Sequence, residues 1–207
     1  MDPAFEPALT PVQRWGKRGF DLAVATGGAL ALSWLIALAW LAATLDTRQN
    51  GFFTQRRVGR RGRLFKVIKI RTMRPDQRTT TTVTTGLDPR ITPLGRLFRR
   101  TKIDELPQLF NIIAGQMSFV GPRPDVPGFA DRLEGSDRRL LALRPGITGP
   151  ATLAFRDEET LLAEQADPER YNREVIWPRK VKLNLEYIDS YRWSKDLGYI
   201  LQTVLGR

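Results

Sequence analysis

The chain contains neither cysteine nor histidine. The first absence removes disulfide frameworks, thiolate metal sites and cysteine nucleophiles. The second removes Ser-His-Asp triads, imidazole bases and most zinc sites. The glycine loops that cradle phosphates, G-x-x-x-x-G-K-[ST] and G-x-G-x-x-G, are missing as well. An enzyme built on this chain must therefore work with carboxylates, Lys, Tyr and Ser/Thr, and the metal suited to such donors is a hard, oxygen-bound cation such as Mg2+. Phosphate binding falls to arginines, helix N-termini or that cation. Charge is missing altogether between Leu22 and Leu45, and acid is missing between Asp46 and Asp76.

What is present is 207 residues, 42% of them hydrophobic, enough for one core and its attachments. Lys and Arg number 33 against 22 Asp and Glu, a formal charge of +11, which suits a nucleic acid, an anionic membrane or a phosphate-rich substrate without choosing among them. Residues 1–13, with three prolines, read as a flexible leader. The 24 uncharged residues from Leu22 to Leu45 would cover roughly 36 Å as a helix, enough for a ~30 Å hydrocarbon core. A signal peptide is the competing reading, but the run exceeds the usual apolar core of about 7–15 residues and no A-x-A site follows. Arg14, Lys17 and Arg18 precede the run and Arg48, Arg56 and Arg57 follow it, so one crossing would violate the positive-inside bias, whereas a re-entrant hairpin satisfies both flanks. Ser33, near the midpoint, can bend a helix by bonding back to the preceding turn, and Gly27-Gly28 add local freedom.

The acid-free stretch holds nine basic residues from Arg56 to Arg74 and is expected to lie on anionic headgroups. Within it, Leu64–Ile70 reads as a short strand or hairpin arm, and Thr79–Thr85 as a surface loop or frayed strand. Ile103, Leu106, Leu109, Phe110 and Ile113 predict an amphipathic helix that starts close to Asp104 and ends near Gly115, with Pro107 in its first turn. From about Leu153 to Leu205 the pattern is helical, with Val181, Leu185, Ile188, Leu197, Leu201 and Val204 as one apolar stripe.

Asp104-Glu105 is the pair with chemical potential. Adjacent helical residues point about 100° apart, so one carboxylate can attack while the other holds a cation or a proton. An ordinary acidic first turn would look the same. Lys69, Arg71, Arg99, Arg100, Arg123 and Arg144 stand in loop, strand-end or adjacent positions; arginine forks match phosphate oxygens, and their convergence on the acidic pair would make a pyrophosphate pocket rather than a solvated basic surface.

Six motifs, in order, resemble the bacterial sugar transferases, the monotopic phosphoglycosyl transferases. They are Lys17-Arg18-Gly19-Phe20-Asp21, Lys69-Ile70-Arg71-Thr72-Met73, Asp88-Pro89-Arg90-Ile91-Thr92-Pro93-Leu94-Gly95-Arg96, Ile103-Asp104-Glu105-Leu106-Pro107-Gln108, Met117-Ser118-Phe119-Val120-Gly121-Pro122-Arg123-Pro124 and Arg144-Pro145-Gly146-Ile147-Thr148-Gly149. The resemblance implies a Mg2+-dependent enzyme at the cytoplasmic face of a bacterial inner membrane. In it the residue matching Asp104 attacks the β-phosphate of a UDP-sugar, UMP leaves, and polyprenyl phosphate takes the phosphosugar. It associates Glu105 with the metal and lines the phosphate site with Lys69, Arg99 and Arg123. Two positions depart from the family pattern: Ser33-Trp34 stands where Ser-Pro is usual, and Lys102 where serine is common, leaving Thr101 as a substitute helix cap.

The expected architecture is α/β and mainly helical: a re-entrant membrane helix over residues 14–48, a small catalytic domain over 49–207, and amphipathic helices at the interface. The expected partners are the UDP-sugar, polyprenyl phosphate and the anionic membrane surface, with no nucleic acid and with a homodimer left open. A non-catalytic basic module binding membrane or nucleic acid is the alternative from another class, and an aspartate-dependent phosphatase passing its phosphate to water is a second.

Overall fold

A computed structural model describes residues 9–74 and 88–206; the expectations for the leader up to residue 8 and for Thr79–Thr85 lie outside the described residues. The first helix, α1 (Pro11–Ala31), starts on a capping box: the Thr10 side chain accepts from the Gln13 backbone while the Gln13 side chain accepts from Thr10 N. It is interrupted at Leu32 (φ −101°, ψ 6°), and α2 (Ser33–Thr47) leaves at 62° to it. The Ser33 hydroxyl donates to Leu30 O at 2.9 Å, the back-bond expected of a serine at a bend. No single helix among the described residues is long and apolar enough to cross a membrane, whereas α1 and α2 together are, by length and composition.

The bent pair inverts the usual burial order. Its inner face is small, with Ala25, Ala29, Ala39 and Ala43 buried along with Ile36, while Leu30, Trp34, Leu38, Leu41 and Leu45 face outward. Small residues allow close approach to the domain, and the large apolar side chains are left uncovered among the described residues.

An antiparallel hairpin follows, β1 (Phe52–Val58) and β2 (Leu64–Ile70), registered Phe52 to Ile70 and Val58 to Leu64. Next comes α3 (Pro93–Thr101), capped by the Thr92 hydroxyl, which accepts from Gly95 N at 2.8 Å. The helix expected from Asp104 onward is divided. Asp104 and Glu105 belong to a 3-10 turn, Ile103–Glu105, and α4 runs only over Gln108–Ile113. The divider is Pro107, which lacks the N–H needed to continue the turn into one ladder. Thr101 does not cap this segment either. Its hydroxyl bonds back to Leu97 O and Phe98 O of α3, and the chain turns through Lys102 in the left-handed region (φ 59°).

β3 (Ser118–Val120) and β4 (Gly146–Thr148) form a short parallel pair. The remainder is helical: α5 (Pro150–Ala154), α6 (Glu158–Ala163), α7 (Pro168–Tyr171), a π turn over Asn172–Ile176, α8 (Trp177–Asp189) and α9 (Trp193–Leu205). The single C-terminal stripe is thereby corrected. Val181 and Ile188 of α8 are buried, but the chain breaks before Trp193, and Leu197, Leu201 and Val204 of α9 are exposed.

Two apolar clusters hold the hairpin, α3 and α4 to the bent pair. Ala25, Ala29, Val67, Leu109, Ile112 and Met117 join α1 to β2 and α4; Ala39, Ala43, Ile70 and Phe98 join α2 to β2 and α3. Asn111 completes the junction: its side chain accepts from Ile68 N at 3.0 Å and donates to Lys66 O at 2.8 Å, which sets β2 alongside α4. At the far side, buried Lys17 donates to Asp196, which also accepts from Tyr187 Oη at 2.6 Å, fastening α1 to α8 and α9. Asp196→Asn leaves Lys17 charged and buried, so a loss of about 3–5 kcal/mol in unfolding free energy is expected by chemical denaturation. A loss near zero would show that water reaches Lys17.

Candidate active site

The 3-10 turn presents two adjacent carboxylates to different surroundings. Glu105 Oε1 accepts from Lys69 Nζ at 2.9 Å and from Arg123 Nη2 at 3.1 Å. Lys69 comes from the end of β2, Arg123 from the Gly121-Pro122 loop after β3, so three separate segments meet at one oxygen. Burial pushes the Glu105 carboxyl up, but the Lys69 and Arg123 charges outweigh it and hold the group well below the usual carboxylate range. Asp104, 7% exposed, has a buried Oδ1 with no hydrogen-bond partner. Burial, and then the neighbouring Glu105 charge, push its carboxyl up to about 6 against the opposing charges of Lys69, Arg99 and Lys102. One acid is thus a fixed anion; the other is an unpartnered carboxylate poised to titrate near neutrality.

Arg99 approaches from the last turn of α3, its Nε donating to Thr72 Oγ1 at 3.2 Å and its Nη1 to Glu159 of α6 at 3.0 Å. Gly95 makes this possible: a Cβ there would stand 2.0 Å from Thr72 O, so only glycine lets α3 ride this close to the strand end. Beyond Arg123 lies a further charged layer absent from the sequence-based expectations. Arg57 donates to Pro124 O at 3.1 Å and Gln55 Oε1 at 2.7 Å, and its guanidinium is lowered to about 10 by burial and by Arg123. Burial pushes Asp125 up to about 6 despite the charges of Lys180, Arg57 and Arg123, while Lys180 itself holds Glu158 at 2.6 Å.

Lys69, Arg99 and Arg123 therefore gather around the acidic pair, and Arg71 and Arg144 do not. Arg71 turns away to donate to Asn50 O at 2.8 Å and Phe52 O at 3.4 Å, closing the connection between α2 and β1, with its guanidinium 5.6 Å from the Phe53 ring centre. Its place just past the strand end points it at those free carbonyls. Arg144 donates its Nε to Gly115 O at 2.8 Å and belongs to a different basic cluster. The missed residues carried only faint signals: Arg57 was one of many basic residues in its stretch, and Asp125, Glu158 and Lys180 reach the layer only through tertiary contacts.

The donors available to a hard cation are the unpartnered Asp104 Oδ1 and Glu105 Oε2, which takes no bond among the described residues. No group of three or more metal-ligating side chains is found among those residues. Two carboxylates suit Mg2+, which takes one or two such donors and completes its shell with water and phosphate oxygens, and they suit poorly an ion needing an all-protein cage.

A family model for bacterial sugar transferases matches residues 12–206. The chain is 36% identical over 205 residues to an undecaprenyl-phosphate glucose phosphotransferase of Komagataeibacter xylinus, which covers 94% of this chain and 36% of that protein. It is 33% identical over 207 residues to a UDP-glucose:undecaprenyl-phosphate glucose-1-phosphate transferase of Escherichia coli (98% of this chain, 42% of that protein). It is 30% identical over 213 residues to the exopolysaccharide production protein ExoY of Rhizobium meliloti (95% of this chain, 87% of that protein). The chain thus spans well under half of the first two relatives and most of the third. With the match running from the start of α1 to the end of α9, across both helices of the bent pair and every segment that meets at Glu105, the chain belongs to the bacterial sugar transferase family.

Proposed function

We propose that this protein transfers a sugar 1-phosphate from a UDP-sugar to polyprenyl phosphate, with Asp104 as covalent nucleophile, at the cytoplasmic face of a bacterial inner membrane. The observation that carries the reading is the unpartnered, buried Asp104 oxygen beside a Glu105 fixed between Lys69 and Arg123. The relatives' names support the acceptor and the reaction class. An Asp104 oxygen bonds to the donor's β-phosphorus as the bond from that phosphorus to the α–β bridging oxygen breaks, and UMP departs with the oxygen. A polyprenyl phosphate oxygen then attacks the same phosphorus and returns the carboxylate. Lys69, Arg99 and Arg123 offset the diphosphate charge from fixed positions. Mg2+ held by Glu105 and Asp104 would neutralise phosphate oxygens as charge shifts to the leaving UMP.

Mixing enzyme and a UDP-sugar without acceptor is expected to release UMP and leave a phosphosugar on Asp104, detected by rapid quench and mass spectrometry. UMP appearing only once lipid is added would replace the two-step route with direct transfer. Because the attacking group must be ionised, the rate of adduct formation should fall in acid as Asp104 takes up a proton, burial having raised its carboxyl and a bound Mg2+ lowering it again. A rate that does not fall in acid would take Asp104 out of the nucleophile's role.

The 62° bend and the outward apolar face support a re-entrant seat for α1 and α2. In intact cells, cysteines introduced singly as Glu6→Cys and Gln49→Cys should both resist a membrane-impermeant thiol reagent. Labelling at position 6 alone would establish a crossing.

A further inference from the structure

A second concentration of positive charge lies apart from the acidic pair. The turn between β1 and β2 brings Arg60, Arg61 and Arg63 opposite Arg14 of α1 and Arg144 of the loop before β4, around a cavity of about 470 Å³ lined by no carboxylate. Neither Asp104 nor Glu105 nor any of the three basic residues gathered at them lines it. Arg60 and Arg144 are each anchored through Nε alone, to Ala142 O at 2.9 Å and Gly115 O at 2.8 Å, so both terminal nitrogens of each lack an acceptor among the described residues. The buried Nε of Arg14 also lacks one. Five guanidinium groups face this one cavity: Arg60 is lowered by burial and then by Arg144, Arg61 and Arg14, and Arg144 by burial and then by Arg18, with Asp21 of the adjoining hollow opposing. Such an arrangement is stabilised by a bound anion whose several oxygens match the paired donors of an arginine fork, and phosphate is that anion.

The rim says what carries the phosphate. Trp15, 76% exposed, borders the adjoining hollow that shares Arg14, Arg60 and Arg144, and Val12 beside it on α1 is 82% exposed. Leu64, 52% exposed, stands on the hairpin side. Guanidinium groups ringed by exposed apolar and indole side chains at the start of an apolar helix pair match the level of lipid headgroups. We propose that the Arg14–Arg60–Arg144 cavity is a binding site for the phosphate of a membrane lipid, separate from the site of sugar-phosphate transfer.

The test uses full-length Asp104→Asn protein in neutral detergent, so that its outcome is independent of catalysis. Short-chain phosphatidic acid and inorganic phosphate are titrated separately by calorimetry. Saturable binding of the lipid near one per chain is expected, with inorganic phosphate at least about tenfold weaker. Adding Arg14→Gln and Arg60→Gln should weaken lipid binding about tenfold or more, equivalent to about 1.4 kcal/mol. Adding Arg56→Gln and Arg179→Gln, an equal loss of charge at two exposed positions outside the cavity, should leave it within about twofold. Should the first double variant fail to fold, Arg61→Gln with Arg63→Gln, both exposed, reads the same cavity. Equal losses in cavity and control variants would reduce the site to diffuse surface charge. Inorganic phosphate binding as tightly as the lipid, or no saturable binding, would overturn the proposal.

Discussion

Asp104→Asn is expected to abolish UMP release, with kcat falling by at least about 10^4-fold, and at the same time to make the folded protein more stable at neutral pH. The first effect follows from losing the anionic nucleophile while keeping its shape. The second follows from the burial of a carboxylate whose Oδ1 has no partner. Between pH 3.8 and about 6 the folded state holds a proton that the unfolded state has released, so stability falls as pH rises through that window and stays lower above it. The lift from 3.8 to about 6 is worth up to roughly 3 kcal/mol, at about 1.36 kcal/mol per pH unit. The asparagine variant escapes this cost. Denaturation curves at pH 7 beside the UMP assay check both halves: an inactive but destabilised variant would mean that Asp104 supports the fold, and an active one would remove it from the chemistry.

Glu105→Gln should also lose at least about 100-fold in turnover and respond more weakly to Mg2+, but with the opposite sign on stability. Lys69 and Arg123 would face a neutral amide in place of the carboxylate that now accepts from both. Hydrogen bonds to charged groups are worth about 1.5–3 kcal/mol, discounted here because the Arg123 side chain is 40% exposed, so a loss of roughly 1–2 kcal/mol at pH 7 is expected. The folded-state carboxyl lies below its ordinary 4.5, so this contribution is present above pH 4.5 and fades as pH falls through the folded-state value. Wild type and variant should therefore converge in acid. Unchanged Mg2+ dependence would return Glu105 to a purely structural place between the two cations.

Local pattern carried the elements that depend on near neighbours. The β-branched and aromatic stretch Leu64–Ile70 is β2, and the uncharged run with Ser33 near its middle lies within the bent pair, serine back-bond included. The departure at Trp34 did not remove the bend, because an interrupted helix at Leu32 needs only the backbone rotation seen there and no missing N–H. Periodicity failed at the breaks, because it marks the apolar face and not the interruptions of the backbone ladder. The helix expected from Asp104 splits at Pro107, and the single C-terminal stripe becomes two helices separated by Ser190-Tyr191-Arg192.

Composition and motif order by themselves determined that thiol and imidazole chemistry is excluded, that an apolar segment precedes the remainder of the domain, and that Asp104-Glu105 is the pair to examine. Those properties are local: they depend on which residues exist and on their spacing along one strand or helix. Only the tertiary structure decided which of the basic candidates stand at that pair. Lys69 and Arg123 share one Glu105 oxygen and Arg99 stands close by, while Arg71 serves a turn and Arg144 a separate cavity. It alone also decided that the adjacent acids stand in different electrostatic surroundings, because burial and charge act through space, and Lys69 and Arg123 reach Glu105 from 36 and 18 residues away in the chain.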